Sequence, residues 1–202
     1  MSMVCSLISI SNETINLVRQ HPLLVMKLIC CEEEFEEMVA HRQPSGCGFF
    51  AKLFGRKTKE STPLPEYTPG GNEGLNCELD KAWHGIHFLL TGSALEDNEP
   101  LNFLVMGGED TVGCDIGYGP GRMFTSAQVK QIDGALQDIS KEEFESRFDP
   151  DKMMELDIYP NIWDRPKEED DSLDYISVSF VEMKQFIRNI AEKNMGMLVV
   201  LN

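Results

Sequence analysis

The sequence predicts an α+β fold, and three observations predict it. Residues 4–10 and 197–201, at opposite chain ends, are short runs of strand-forming apolar residues. Residues 112–124 set Val112, Ile116, Tyr118, Met123 and Phe124 among Gly113, Gly117, Gly119 and Gly121, the pattern of short strands joined by tight turns. Most of the rest carries apolar residues three and four apart, without regular strand–helix alternation. The expectation is one domain over residues 1–202: a small mixed sheet holding both termini, packed against several helices.

Each element follows from local chemistry. After the first strand, Asn12 is a cap for a short helix with Ile15, Leu17 and Val18, ended at His21-Pro22 because proline disfavours helix in the residue before it. From Pro22 a second helix is expected, with Leu24, Leu28, Cys31, Phe35 and Met38 on one face and Glu32, Glu33, Glu34, Glu36 and Glu37 on a solvated one. Residues 44–76 are dense in Pro, Gly, Ser and Thr and read as a flexible insertion. Within it, Phe49, Phe50, Leu53 and Phe54 alternate with Lys52, Arg56, Lys57 and Lys59, a short amphipathic stretch that buries too little area for stable membrane association.

Residues 79–90 read as a buried helix, and Pro100 opens a short one closed by Gly107-Gly108. Thr125-x-x-Gln128 and Ser140-x-x-Glu143 are capping-box patterns, and Asp149-Pro150 starts a third helix. Residues 164–174, including Glu168-Glu169-Asp170-Asp171, read as an acidic loop before a helix beginning at Ser179.

Composition excludes several classes. The 202 residues are 42% hydrophobic and 26% charged, with net charge −16, which suits a soluble globular protein. Nucleic-acid binding is not expected, since phosphate contacts need Lys and Arg in excess. The N-terminus lacks a basic region before its apolar stretch, and the six cysteines are too sparse for a disulfide scaffold. These features point to a cytoplasmic protein with reduced thiols.

The most informative segment is Cys77 to Leu90. On a helix, Cys77, Asp80, His84 and His87 fall at intervals of three, four and three, so one face would carry a thiol, a carboxylate and two imidazoles. Four ligands from one straight helix cannot surround an ion, so no metal is assigned, nor any cofactor. Acid–base use of His84 or His87 is one reading; a buried imidazole bonded to a carbonyl or carboxylate is the other. The glycines around Tyr118 lack the order of a phosphate loop, and Pro120 removes a backbone donor, so they read as turns. Arg122 beside them is an anion clamp if it faces a cleft. The candidate pocket is therefore Asp80, Lys81, Trp83, His84, His87, Tyr118 and Arg122, with catalytic roles unassigned.

The block Leu79-Asp80-Lys81-x-Trp83-x-x-Ile86-His87-Phe88-x-Leu90-Thr91-Gly92 resembles the YfbM-like, or DUF1877, family of bacterial proteins. So do Pro100-Leu101, Gly117-Tyr118-Gly119-Pro120, the helix at 129–136 and Met153-x-x-x-x-Ile158-Tyr159-Pro160. The resemblance implies a single α+β domain and no known activity, so it carries over no catalytic residue. The acidity, with no catalytic motif, favours a non-enzymatic binding protein that meets a basic protein partner, in the manner of immunity proteins. The alternative is a small-molecule enzyme or ligand-binding protein with its cleft at the candidate pocket.

Overall fold

The structure, a computed structural model, describes residues 2–30, 32–41, 64–95, 99–166, 168 and 171–202. Its frame is one five-stranded sheet with strands β1 (Cys5–Ile10), β2 (Asn76–Asp80), β3 (Glu109–Asp115), β4 (Pro120–Phe124) and β5 (Gly196–Leu201). The order across the sheet is β2-β1-β5-β4-β3, so the two chain ends lie side by side at its centre. Val4 and Asn202 exchange backbone hydrogen bonds of 2.6 and 2.9 Å, carrying that central ladder to the last residue. A mixed sheet was the expectation; every pairing is antiparallel.

Because side chains alternate along a strand, the sheet feeds two cores. Cys5 and Leu7 with Met197 and Val199 face one layer; Ile8 and Ile10 with Leu198 and Val200 face the other. The larger layer holds helices α3 (Trp83–Thr91), α4 (Ser126–Gln137), α5 (Lys141–Glu145), α6 (Pro150–Glu155) and α7 (Ser172–Glu192). On the other side lie α1 (Asn12–Gln20) and a 3-10 helix (Pro22–Leu28), followed in the chain by α2 (Glu32–His41).

The caps fall largely where side-chain chemistry requires. Thr125 and Gln128 complete a reciprocal capping box on α4, while Ser140 and Asp149 accept from the backbone amides of Glu143 and Lys152. On α1 the cap is Ser11, one residue before Asn12.

Other expectations change as well. The second helix is broken: the chain winds as a 3-10 turn that buries adjacent Leu24 and Val25, and α2 starts only at Glu32. Within that expected face, Cys31 and the side chain of Met38 lie outside the described residues. Residues 76–80 form a strand, not the first turn of a helix, because Asn76, Glu78 and Asp80 are exposed while Cys77 and Leu79 turn inward, a period of two against β1. Residues 99–106 are turns rather than a helix, with Asn102, Phe103 and Leu104 buried.

Helix α7 begins at Ser172, capped by Asp171, so it takes in the end of the acidic loop; residues 167, 169 and 170 lie outside the described ones. Of the 44–76 insertion, residues 44–63, including the Phe/Lys stretch, also lie outside them. Residues 64–76 are held: Leu64 and Tyr67 pack on the smaller core, and buried Ser9 accepts from the Leu75 amide and donates to the Asn72 carbonyl. No helix among the described residues is long and apolar enough to cross a membrane.

Candidate functional site

Strand β2, helix α3 and the turn between them carry the first five candidates. Asp80 ends β2 in the left-handed region, φ 44°, where a short polar side chain is tolerated. This reversal divides the segment. Cys77 and Asp80 stay on the sheet edge while His84 and His87 enter the helical layer, so the single face of thiol, carboxylate and imidazoles does not exist. The Tyr175 hydroxyl donates to Asp80 at 3.0 Å and accepts from the Lys81 amide at 3.1 Å, pinning the turn to α7. Burial, with the Asp80 carboxylate, pushes the Tyr175 hydroxyl up to about 12.

Trp83 is buried, its indole N–H donating to the Met3 carbonyl at 3.3 Å. Its ring stacks on His84 at 4.9 Å and on Tyr159 at 5.8 Å, and the Tyr159 hydroxyl accepts from the Met3 amide at 2.8 Å. The block thus fastens the chain leading into β1.

His84 has both ring nitrogens engaged. Nδ1 accepts from the Tyr159 amide at 3.0 Å, and Nε2 lies 2.9 Å from the Ala94 carbonyl. A carbonyl can only accept and an amide only donate, so these partners select the neutral ring with its proton on Nε2. Burial lowers its pKa, and the Ala94 carbonyl only partly opposes that.

His87 is 0% exposed, and its Nδ1 has no hydrogen-bond partner among the described residues. Nε2 lies 3.5 Å from the Thr91 hydroxyl, which itself donates to the His87 carbonyl at 2.8 Å. Burial, then the proximity of His84 and Arg122, depresses the imidazole to about 4.

Arg122, on β4, faces main-chain oxygen. Nη1 donates to the carbonyls of Phe103 and Met106 at 2.8 and 2.7 Å, and Nη2 to that of Leu104 at 2.7 Å. The guanidinium closes the 99–106 turns, a fork filled by the protein's own acceptors rather than an open anion clamp. Burial lowers its pKa, while Cys5 and Asp110 oppose the change. Tyr118 stands apart, 48% exposed on the β3–β4 turn, with its amide donating to the Leu201 carbonyl at 2.7 Å.

The structure thus brings Trp83, His84 and His87 together inside the larger core, with Arg122 near enough to influence His87 electrostatically. Asp80 and Lys81 lie at its edge and Tyr118 outside it. The buried Cys5 thiol belongs to the same interior, raised by burial to about 12. Trp163 was not singled out from the sequence: it is buried with its N–H on the Ile158 carbonyl at 2.6 Å, and its ring lies over Gly85. Among the described residues, no group of His, Cys, Asp and Glu has the arrangement of a metal site.

Among known proteins, the chain is similar to the protein YfbM of Escherichia coli strain K12, 30% identical over 124 residues that span 57% of this chain and 73% of that protein. The fold is similar to a crystal structure of YfbM from Escherichia coli, described as a protein of unknown function. The TM-score is 0.57 at 16% identity, covering 98% of each chain. The model of the DUF1877 family, described as a domain of unknown function, matches residues 1–200, and the chain belongs to that family.

Proposed function

We propose that this protein is a non-enzymatic cytoplasmic binding domain whose acidic surface meets a basic protein partner. One observation carries the reading: the interior groups best suited to chemistry are committed to holding the fold. His84 is saturated by Tyr159 and Ala94, and Arg122 by the carbonyls of the 99–106 turns. His87 is sealed from solvent and held neutral down to about 4. The surface, by contrast, belongs to a chain of net charge −16. Such a field speeds and orients the approach of a positively charged protein and repels nucleic acid and anionic lipid.

The test is calorimetric titration against a panel of small basic proteins, at about 20 mM and about 500 mM salt. Association that weakens steeply with salt is the expected result, and absent or salt-independent association overturns the proposal. A thermal-shift screen of small metabolites separates the rival cleft reading: a saturable shift abolished by His87→Phe would favour a ligand pocket at the Trp83 block.

A further inference from the structure

We propose that the basic partner docks as an extended segment in the groove between the free edge of β2 and helix α7, adding a strand to the sheet. The inference rests on the acidic-surface reading and assigns it a place.

Among the described residues β2 is one of the two edge strands, paired with β1 alone. An unpaired edge offers backbone N–H and C=O groups to an incoming strand. Beside it runs a groove of about 600 Å³ lined by Asn76, Cys77, Glu78, Val181, Glu182 and Phe186, among others. Val181 in this lining is 44% exposed, and Val178, three residues before it on α7, is 47% exposed. Apolar surface left open beside an open edge is what strand addition uses: the backbone supplies the ladder and alternate side chains supply specificity.

Charge selects the occupant. The groove lining carries two carboxylates, Glu78 and Glu182, and no Lys or Arg. The adjoining groove, which shares Val181 and Gln185 with this one, differs in its charge, carrying Lys141, Lys184 and Arg188. Those cations are held internally: Lys184 donates to the Ile139 carbonyl at 2.7 Å, Arg188 to Gln137 at 3.1 Å, and Lys141 pairs with Glu145 at 3.4 Å. A basic strand is therefore drawn to the β2 side of the shared Val181 and Gln185, where the two groove acids stand. Because strand side chains alternate, the fitting sequence has apolar residues turned toward Val181 and Phe186, with Lys or Arg between them.

The experiment uses the full chain and a fluorescein-labelled peptide of seven residues, Lys and Val alternating, with binding read by anisotropy at low salt. Reversal of both groove acids, Glu78→Lys with Glu182→Lys, is expected to weaken binding at least about tenfold. Reversal of two exposed acids on α2, Glu33→Lys with Glu36→Lys, is expected to change it less than about twofold. Methylating alternate peptide nitrogens is expected to abolish binding, because it removes ladder donors without removing charge. If the peptide binds in a salt-dependent way but the groove and α2 reversals act alike, the groove falls and the acidic-surface reading stands. Full binding by the methylated peptide also overturns strand addition. A wild-type chain that fails to bind the peptide at low salt contradicts both.

Discussion

His84 and His87 sit one helical turn apart, yet they meet different physical demands. His84 joins two distant backbone groups, the Tyr159 amide and the Ala94 carbonyl. Replacing it with Leu keeps most of the volume and orphans both, at about 1–3 kcal/mol for each group left unpaired. His84→Leu is therefore expected to lose about 2–6 kcal/mol in urea unfolding. His87 makes the fold acid-sensitive. Above its ordinary value of 6.5 both folded and unfolded chains hold it neutral; as pH falls, the unfolded chain takes the proton first, and the folded one follows only near 4. Stability is lost across that window, by about 3 kcal/mol in total. Unfolding of His87→Phe measured from neutral pH down to about 4 should show a shallower decline than wild type. The sequence made the Asp-Lys-x-Trp block conspicuous but did not reveal these roles. The partners of His84, and the carbonyls that fill Arg122, are main-chain atoms, which no side-chain pattern announces.

The elements show where local signals suffice. Thr125, Ser140 and Asp149 act as caps because the hydroxyl or carboxylate bonds an amide three residues ahead, a relation written directly in the sequence. β2 was not legible in the same way. Its residues share apolar spacing with α3, and only pairing to β1, distant in sequence, selects the extended form. The start of α7 was hidden because its cap, Asp171, is one acid in an acidic run. Helix α3 also carries a close approach. A Cβ at Gly85 would stand 2.8 Å from the Trp163 ring and 3.0 Å from Ile176, so Gly85→Ala overpacks the core despite alanine's better helix propensity. The expected cost is about 1–3 kcal/mol by chemical denaturation, partly recovered when Trp163 is replaced by the smaller Phe.

At the scale of the whole molecule, two cores share one antiparallel sheet, and the chain termini form its central pair. The excess negative charge opposes this compaction, because like charges are closer together folded than unfolded. Added salt should therefore raise the melting temperature while weakening association with a basic partner. Relief of about 1 kcal/mol corresponds to about 2–4 °C for a chain of this size, measurable by differential scanning calorimetry. On the proposed reading, the Trp83 block is an internal fastening and other molecules are met at the surface. Long-range nitrogen–proton NMR of the imidazoles, followed from neutral pH to about 4, tests this most directly. The predicted spectrum has His84 neutral with its proton on Nε2 and His87 neutral until the acid limit. Either ring taking up a proton near 6.5, as an exposed histidine does, would contradict it.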